Sequence, residues 1–321
     1  MPTGTGLDGQ VGYVIESAYQ TAGVVTSFIP LISETIEVTI DQLESKGQFA
    51  GRHVLQEQQW AQGNKTIAGD IQHEMFVQSM GVLMKAAFGT VNTATAGGTG
   101  IHTFFPAAPS VSFTTQVGRP TVYGSVIPFT YEGCKITSWE LAAKAGEIPT
   151  WGMSIVAAEE RMGTALAAAS YAANIRPWRF QDLSFSVMGV TTPLKEFSIK
   201  GENSLNVDRR FLGSTIIAEP LRADLAEYTG QLSLEWGNPS ARGTLNYLAF
   251  LGGTTGTILA TMSSGTLYGT ITANVRFDGK TPNVSGREIV DHPIPFKAMS
   301  SGSLDAHAIQ VVLLNNQTSI T

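Results

Sequence analysis

Two stretches of the chain, 65–90 (KTIAGDIQHEMFVQSMGVLMKAAFGT) and 227–254 (EYTGQLSLEWGNPSARGTLNYLAFLGGT), carry the same succession of patterns. Each opens with a short run around a central glycine, Gly69 or Gly230, and then alternates. In the second stretch Leu232, Leu234 and Trp236 alternate with Gln231, Ser233 and Glu235, the period of two that marks a strand with one buried face. In the first, Ile71 and Met75 take the apolar face, with Asp70, Gln72 and Glu74 opposite. Helical spacing follows in both. Val77, Met80, Met84 and Phe88 recur three or four residues apart and stop at Gly89. Leu245, Leu248 and Leu251 form a stripe before Gly252, with Asn238 placed as N-cap and Pro239 at the first helical position. Both stretches therefore predict strand, helix and glycine stop.

The correspondence extends outward. ETIEVTI from Glu34 and KEFSIKG from Lys195 both read as strands entering a long loop. TYEGCKI (130–136) sets against NVRFDGKT (274–281). Within GEIPTWGMSIVAAE and REIVDHPIPFKAM, Met153 and Ile155 fall in step with Ile294 and Phe296. The shared order predicts two copies of one module, 26–160 and 176–321. An N-terminal arm, 1–25, precedes them, and an Ala-rich piece, 161–175, joins them as a short helix or a linker. A period of this size means fused domains rather than a solenoid. Each module holds a long polar insertion, 41–64 and 201–226, and long loops in compact domains mostly serve a function. Their isolated apolar residues (Leu43, Phe49 and Trp60; Leu205, Phe211 and Leu212) suit a projecting hairpin that docks on a neighbour.

Composition narrows the class. Charged residues make up 14% of the 321, against about 25% in ordinary soluble domains. The 34 glycines and 14 prolines favour many short strands over coiled coils or helical bundles. A net charge of −6 has the wrong sign for groove-type nucleic-acid binding, which needs a basic field to displace counterions. The single cysteine, Cys134, excludes an intramolecular disulfide and a cysteine-based zinc cluster. Its apolar-flanked strand predicts a small buried hydrophobe. The N-terminus lacks the regions of a secretion signal, and no apolar run is long enough to span a bilayer. A soluble chain made in a cytoplasm is expected.

Motifs that spell chemistry lack their context. GTGLDG (4–9) has no strand before it. GKT (279–281) has Asn274 where a phosphate loop needs its first glycine, and His73-Glu74 has Val77 where a zincin helix needs its second histidine. His53, His102, His292 and His307 have no partner at ligand spacing. Glu159 and Glu160 point to opposite sides of an extended chain. No catalytic, cofactor-binding or metal-binding residue is assigned, and an enzyme is not expected. His73, on the apolar face, reads as a satisfied buried histidine.

Four segments carry a resemblance: GYVIESAYQT (12–21), PFTYEGCKITSWEL (128–141), FSIKGENSLNVDRRFLGS (197–214) and VRFDGKTPNVSGREIVDHPIPFKAM (275–299). In this order, over nearly the whole chain, they resemble the major tail tube proteins of long-tailed, non-contractile bacteriophages, in the group common among phages of actinobacteria. Gln20 stands where that family has glycine after Tyr19. The resemblance implies a mainly β fold, a β-sandwich plus helix, in two tandem tail-tube-like modules that contribute to a continuous inner β-barrel on ring assembly. It implies a structural subunit of the virion tail, synthesised in the host cytoplasm, polymerising as stacked rings around a lumen. Implied partners are further copies of the chain, as homotrimeric pseudo-six-fold rings or as homohexamers. The tape-measure protein, tail terminator and tail-tip proteins complete the set; DNA transits the lumen without specific binding, and no membrane or cofactor is involved. Phe49 and Arg52 in the first insertion, and Arg209, Arg210 and Phe211 in the second, are the candidate ring-stacking contacts. The alternative is a β-sandwich carbohydrate-binding or other virion surface module, with Trp139, Trp151 and Trp178 as its aromatic residues.

Overall fold

The computed structural model describes residues 4–107, 111–173, 175–236, 243–279, 281–284, 286–302, 304 and 308–320. The fold is mainly β, 51% strand and 8% helix, with sheets that do not close. The first half contains β1 (Gln10–Ile15), β2 (Ser27–Phe28), β3 (Ser33–Glu34), β4 (Glu37–Glu44), β5 (Trp60–Glu74) and helix α1 (Gly81–Phe88). A hairpin of β6 (Gly89–Ala96) and β7 (Thr99–Pro106) follows, then β8 (Phe113–Pro120), β9 (Val126–Lys144), β10 (Thr150–Ala157) and β11 (Glu159–Arg161). The second half holds β12 (Leu183–Val187), β13 (Val190–Thr191), β14 (Glu196–Glu202), β15 (Leu205–Asn206), β16 (Leu221–Arg222) and β17 (Glu227–Glu235). Helix α2 (Gly243–Gly252), β18 (Thr255–Ser264), β19 (Leu267–Phe277), β20 (Asp291–Ala298) and β21 (Ile309–Asn315) complete it.

Among the described residues, 19 strands join in one antiparallel network and β15–β16 stand apart. One layer is an arc in the order β4–β5–β10–β9–β14–β17–β20–β19, with β3 extending the line of β4. The other layer runs β2–β1–β8–β9–β11 in the first half. In the second half it runs β13–β12–β18–β19–β21–β7–β6. β9 and β19 serve both layers. β1, drawn from the N-terminal segment, is a full member of its sheet, with Val11 and Tyr13 buried.

Alternation sorts the side chains. Ile67, Ile71 and His73 on β5, Trp151, Met153 and Ile155 on β10, Leu232 and Leu234 on β17, and Ile294 and Phe296 on β20 turn inward and are at most 3% exposed. Burying each large apolar side chain contributes about 1.5–3 kcal/mol. Trp139 stacks on Trp151 with 4.8 Å between centroids, and Phe88 of α1 lies 5.0 Å from Trp139 and 6.2 Å from Tyr228. The core thus runs through both halves of the chain.

The halves share register as well as pattern. Ile155 pairs with Gly69 and Met153 with Ile71, as Phe296 pairs with Gly230 and Ile294 with Leu232. Bonds at the strand ends recur too. Ile32 N–H donates to Gln72 O (3.0 Å) as Lys195 N–H does to Ser233 O (2.8 Å). Met75 N–H donates to Pro149 O as Trp236 N–H does to Val290 O, both at 2.8 Å. The stretches 130–136 and 274–281, alike in sequence, do not share this register. Phe277, opposite Phe296, holds the place of Ile136, opposite Ile155.

Local geometry departs from the spacing in three places. Ser79 adopts φ 69° and interrupts the run, so α1 starts only at Gly81 and Val77 and Met80 are buried ahead of it. The predicted stop holds: Gly89, at φ 89°, returns its N–H to Lys85 O. In α2 the leucine stripe faces outward, Leu248 and Leu251 being 53% and 61% exposed while Ala249 is buried. Asn238, Pro239, His307 and the side chain of Leu245 lie outside the described residues. Residues 164–173 form no helix but an extended strap. The Gln116 amide donates to Ala165 O (3.0 Å) and accepts from Ala167 N–H (2.7 Å), as a strand would. Gln20 sits at φ 62°, the conformation glycine adopts most readily, with its N–H donating to Glu16 Oε2.

Candidate assembly surface

The face of the arc turned away from the core is polar and largely acidic. The alternation that buries Ile71, Met153 and Leu232 places Glu37, Asp70, Glu74, Glu140, Glu196, Glu202, Glu235 and Asp291 on it, against Lys144, Lys200 and Lys297. The lysines are engaged: Lys144 by Glu196 (3.1 Å), Lys200 by Glu202 (2.7 Å) and Lys297 by Glu227. Lys195, at the strand entrance, reaches Asp291 (2.7 Å) and Glu235 (3.2 Å). Donating hydrogen bonds to these carboxylates raises the pKa of Lys144, Lys195 and Lys200. Exposed pairs of this kind add little to stability; their main effect is to neutralise the cations. Glu37, Glu74 and Glu140 have no ion pair among the described residues, so the remainder is negative. No cluster of three His, Cys, Asp or Glu side chains suited to a metal occurs among the described residues.

The arc is open at its β3–β4 end. Among the described residues β3 and β4 pair only with β5. β14, in the corresponding position of the second half, is paired on both sides, with β17 and with β9, where Ile199 faces Leu141. The open edge is guarded by side chains. Ile36 N–H donates to Glu34 Oε2 (3.0 Å), and Ile36 O accepts from Arg119 Nη2 (2.6 Å). Arg119 also grips Glu34 in a fork at 2.9 and 2.8 Å. That carboxylate holds the Arg119 pKa above its ordinary value.

Of the two insertions, one projects and one folds back. β4 and β5 continue beyond the core as an exposed hairpin, with Phe49 (51% exposed) and Arg52 in its tip. The second insertion lies on the first half of the chain. Lys65 N–H donates to Thr215 O (3.0 Å), and Arg210 donates to Lys65 O (3.1 Å), Thr66 Oγ1 (2.8 Å) and Asp208 (2.9 Å). Arg209 donates to Glu219 O, and Glu219 pairs at 2.7 Å with Lys135, whose side chain is wholly buried. Arg209 and Arg210 therefore anchor their own loop, while Phe211 stays 62% exposed. Sequence reasoning missed Arg119–Glu34 and Lys135–Glu219. Their partners lie 85 and 84 residues apart, and no local spacing signals them.

The remaining candidates are core residues. His73 is held between Tyr13 Oη, 2.6 Å from Nε2, and Pro30 O, 2.7 Å from Nδ1. A carbonyl can only accept, so Nδ1 carries the proton and Tyr13 donates to Nε2. Burial lowers the His73 pKa to about 4, as expected of a neutral, satisfied ring. Cys134 is fully buried, and burial raises its thiol pKa far from the nucleophilic range. Trp139, Trp151 and Trp178 are at most 2% exposed. They stand at inward positions and form no platform, so the carbohydrate-binding alternative loses its site.

No helix among the described residues is long and apolar enough to cross a membrane. Comparison with curated proteins finds no match. The profile of the family described as phage tail tube protein matches residues 6–298, through both halves and both insertions. The chain therefore belongs to the phage tail tube protein family, structural components of the virion tail that self-assemble into a tube.

Proposed function

We propose that the chain forms three-membered rings that stack into the tube, with 26–160 and 176–321 acting as quasi-equivalent modules. The observation that carries the reading is the arc. β4, β5, β10 and β9 of the first half are continued by β14, β17, β20 and β19 of the second, and the outer edge of β3–β4 is open. Open strand edges are association sites unless covered, and a closed ring removes them. Three such arcs joined end to end give six modules around a bore. The common register of Ile155–Gly69 and Phe296–Gly230 supports treating the halves as one unit used twice.

In this arrangement the acidic face lines the bore. It offers no basic track to hold phosphates by counterion release, so DNA slides past and the tape-measure protein is not gripped by charge. Stacking falls to the β4–β5 hairpin around Phe49 and Arg52 and to Phe211, with Arg209 and Arg210 bracing the second insertion. Terminator and tip proteins close the two ends of the tube. The chain is made in the host cytoplasm and acts as a structural part rather than an enzyme.

Mass measurement of solubilised rings, with negative-stain images of the concentrated protein, tests this. Three chains per ring around a visible bore are expected. Six chains per ring reject the trimer, and a protein that stays monomeric rejects the ring.

A further inference from the structure

We infer that the joint between neighbouring chains is made by the outer edge of β3–β4 of one copy and by Gly279, Thr281, Pro282 and Asn283 of the next, which pass from coil to strand as they dock. This rests on the ring reading above and names the surfaces that close it.

The template lies within the chain. β14 offers its outer edge to the end of β9, with Ile199 opposite Leu141 and Ser198 opposite Ala142. On the inner side, Glu34 faces Ile71 of β5 as Phe197 faces Leu232 of β17, so Ile36 takes the place of Ile199. At the other end of the arc, Asp278 N–H donates to Pro295 O at 2.8 Å. That bond puts Asp278 where Ser138 faces Ser154, and Thr281 and Pro282 then take the places of Leu141 and Ala142. Carrying the β14–β9 register across two copies sets Ile36 opposite Thr281 and Thr35 opposite Pro282.

Three observations fit that joint. Odd-numbered residues of β9 send their backbone bonds to β14, as Asn203 N–H to Thr137 O and Ala145 N–H to Lys195 O do at its two ends. Pro282, in the place of Ala142, therefore turns its missing N–H away from the joint and loses no bond there. Ile36, whose N–H and C=O would cross to Thr281, is the residue that Glu34 and Arg119 guard in the free chain. Finally, α1 ends under residues of the other half. Asn203 Nδ2 donates to Ala87 O (3.1 Å), and Tyr228 stacks on Phe88. α2 has no such cover on Leu248 and Leu251; a docked copy supplies it.

Cys134 is buried, so introduced cysteines report cleanly on the joint. Thr35→Cys with Pro282→Cys forms a non-hydrogen-bonded cross-strand pair with Cα atoms about 4.5 Å apart, within disulfide reach. Thr35→Cys with Asn283→Cys puts the thiols on opposite faces. In assembled rings under mild oxidation, the first pair should link chain to chain in a ladder ending at the ring's chain number. The second should link at least about tenfold less, since a one-residue slip reverses the face. Rings that form yet link through the second pair, or through neither, overturn the joint and leave the ring standing. Unmodified protein that forms no rings overturns both. Should the paired variants fail to fold, hydrogen exchange of unmodified protein decides. The Thr281 amide should exchange about 100-fold more slowly in tubes than in free chains, as local opening is suppressed; equal rates overturn the joint.

Discussion

Phe296 lies against the bare backbone of Gly230, its Cζ only 2.3 Å from the point a β-carbon would occupy, with Ser198 O as close on the same side. Gly69 is hemmed in by Ile36 Cα at 2.4 Å in the same way. Both central glycines are therefore demanded by close approach of strands. Gly230→Ala should cost about 3 kcal/mol, the upper end of overpacking penalties, because Ser198 O is backbone and yields poorly. Thermal melts check it; an unchanged Tm would mean the strands part without strain.

Gln20 presents the opposite case. At φ 62° an L side chain costs about 1–2 kcal/mol, while glycine adds some unfolded-state entropy. Gln20→Gly should raise stability by up to about 1 kcal/mol, provided the N–H bond to Glu16 persists. Urea unfolding measures it, and a loss would show that the glutamine side chain itself contributes.

His73 makes stability depend on acid. Its pKa falls from 6.5 to about 4 on folding, so between those values the unfolded chain binds a proton that the native chain refuses. The contribution is complete above pH 6.5 and declines as the pH drops, and the loss amounts to about 3 kcal/mol once pH 4 is passed. Melts at pH 7 and pH 5 should differ less for His73→Gln than for the unmodified chain. An identical difference would place the acid sensitivity elsewhere.

Lys135 is a buried ammonium that relies on one carboxylate 2.7 Å away. Glu219→Gln should cost close to the lower end of the 3–5 kcal/mol seen when buried pairs are broken, because Glu219 itself keeps 40% exposure. Adding Lys135→Met should recover most of the loss. If the double variant is no better than the single one, the charge is not what the pair supplies.

The two insertions should respond differently. Phe49→Ala with Arg52→Ala touches only exposed groups and should leave the melting temperature unchanged, while tubes grow shorter in electron micrographs. Arg210→Ala removes bonds to Lys65 O and Thr66 Oγ1 and should lower the melting temperature by itself. Tubes of normal length from the first variant would remove the hairpin tip from stacking.

What the sequence revealed were features set by near neighbours. The alternation at 231–236 sorted Leu232 and Leu234 inward, Gly89 ended α1, and the order of pieces anticipated the paired registers. What stayed hidden depends on what arrives from far along the chain. The Leu248–Leu251 stripe marked a helical face correctly, but spacing says nothing of what covers that face. Arg209 and Arg210 read from the sequence as candidate stacking contacts, and their bonds to Glu219 O and to 65–66 are made with residues that no local spacing places beside them. The likeness of 130–136 to 274–281 misled because an aromatic-acid-glycine triplet can recur at different points of a strand: Gly133 lies inside β9, whereas Gly279 lies beyond the end of β19. Lys135 gave no sign of burial, since its counterion is fixed by topology alone.

The β9–β14 pairing carries a kinetic consequence. In the proposed ring, a subunit that contains one joint already made between its own halves needs only two bimolecular encounters to close a six-module circle, because the last of the three chain-to-chain joints forms within the assembled trimer. The three joints between halves are intramolecular, at an effective concentration in the millimolar range for a short tether. Severing the strap at 164–173 should therefore raise the critical concentration for polymerisation steeply even if every contact in the finished circle is kept.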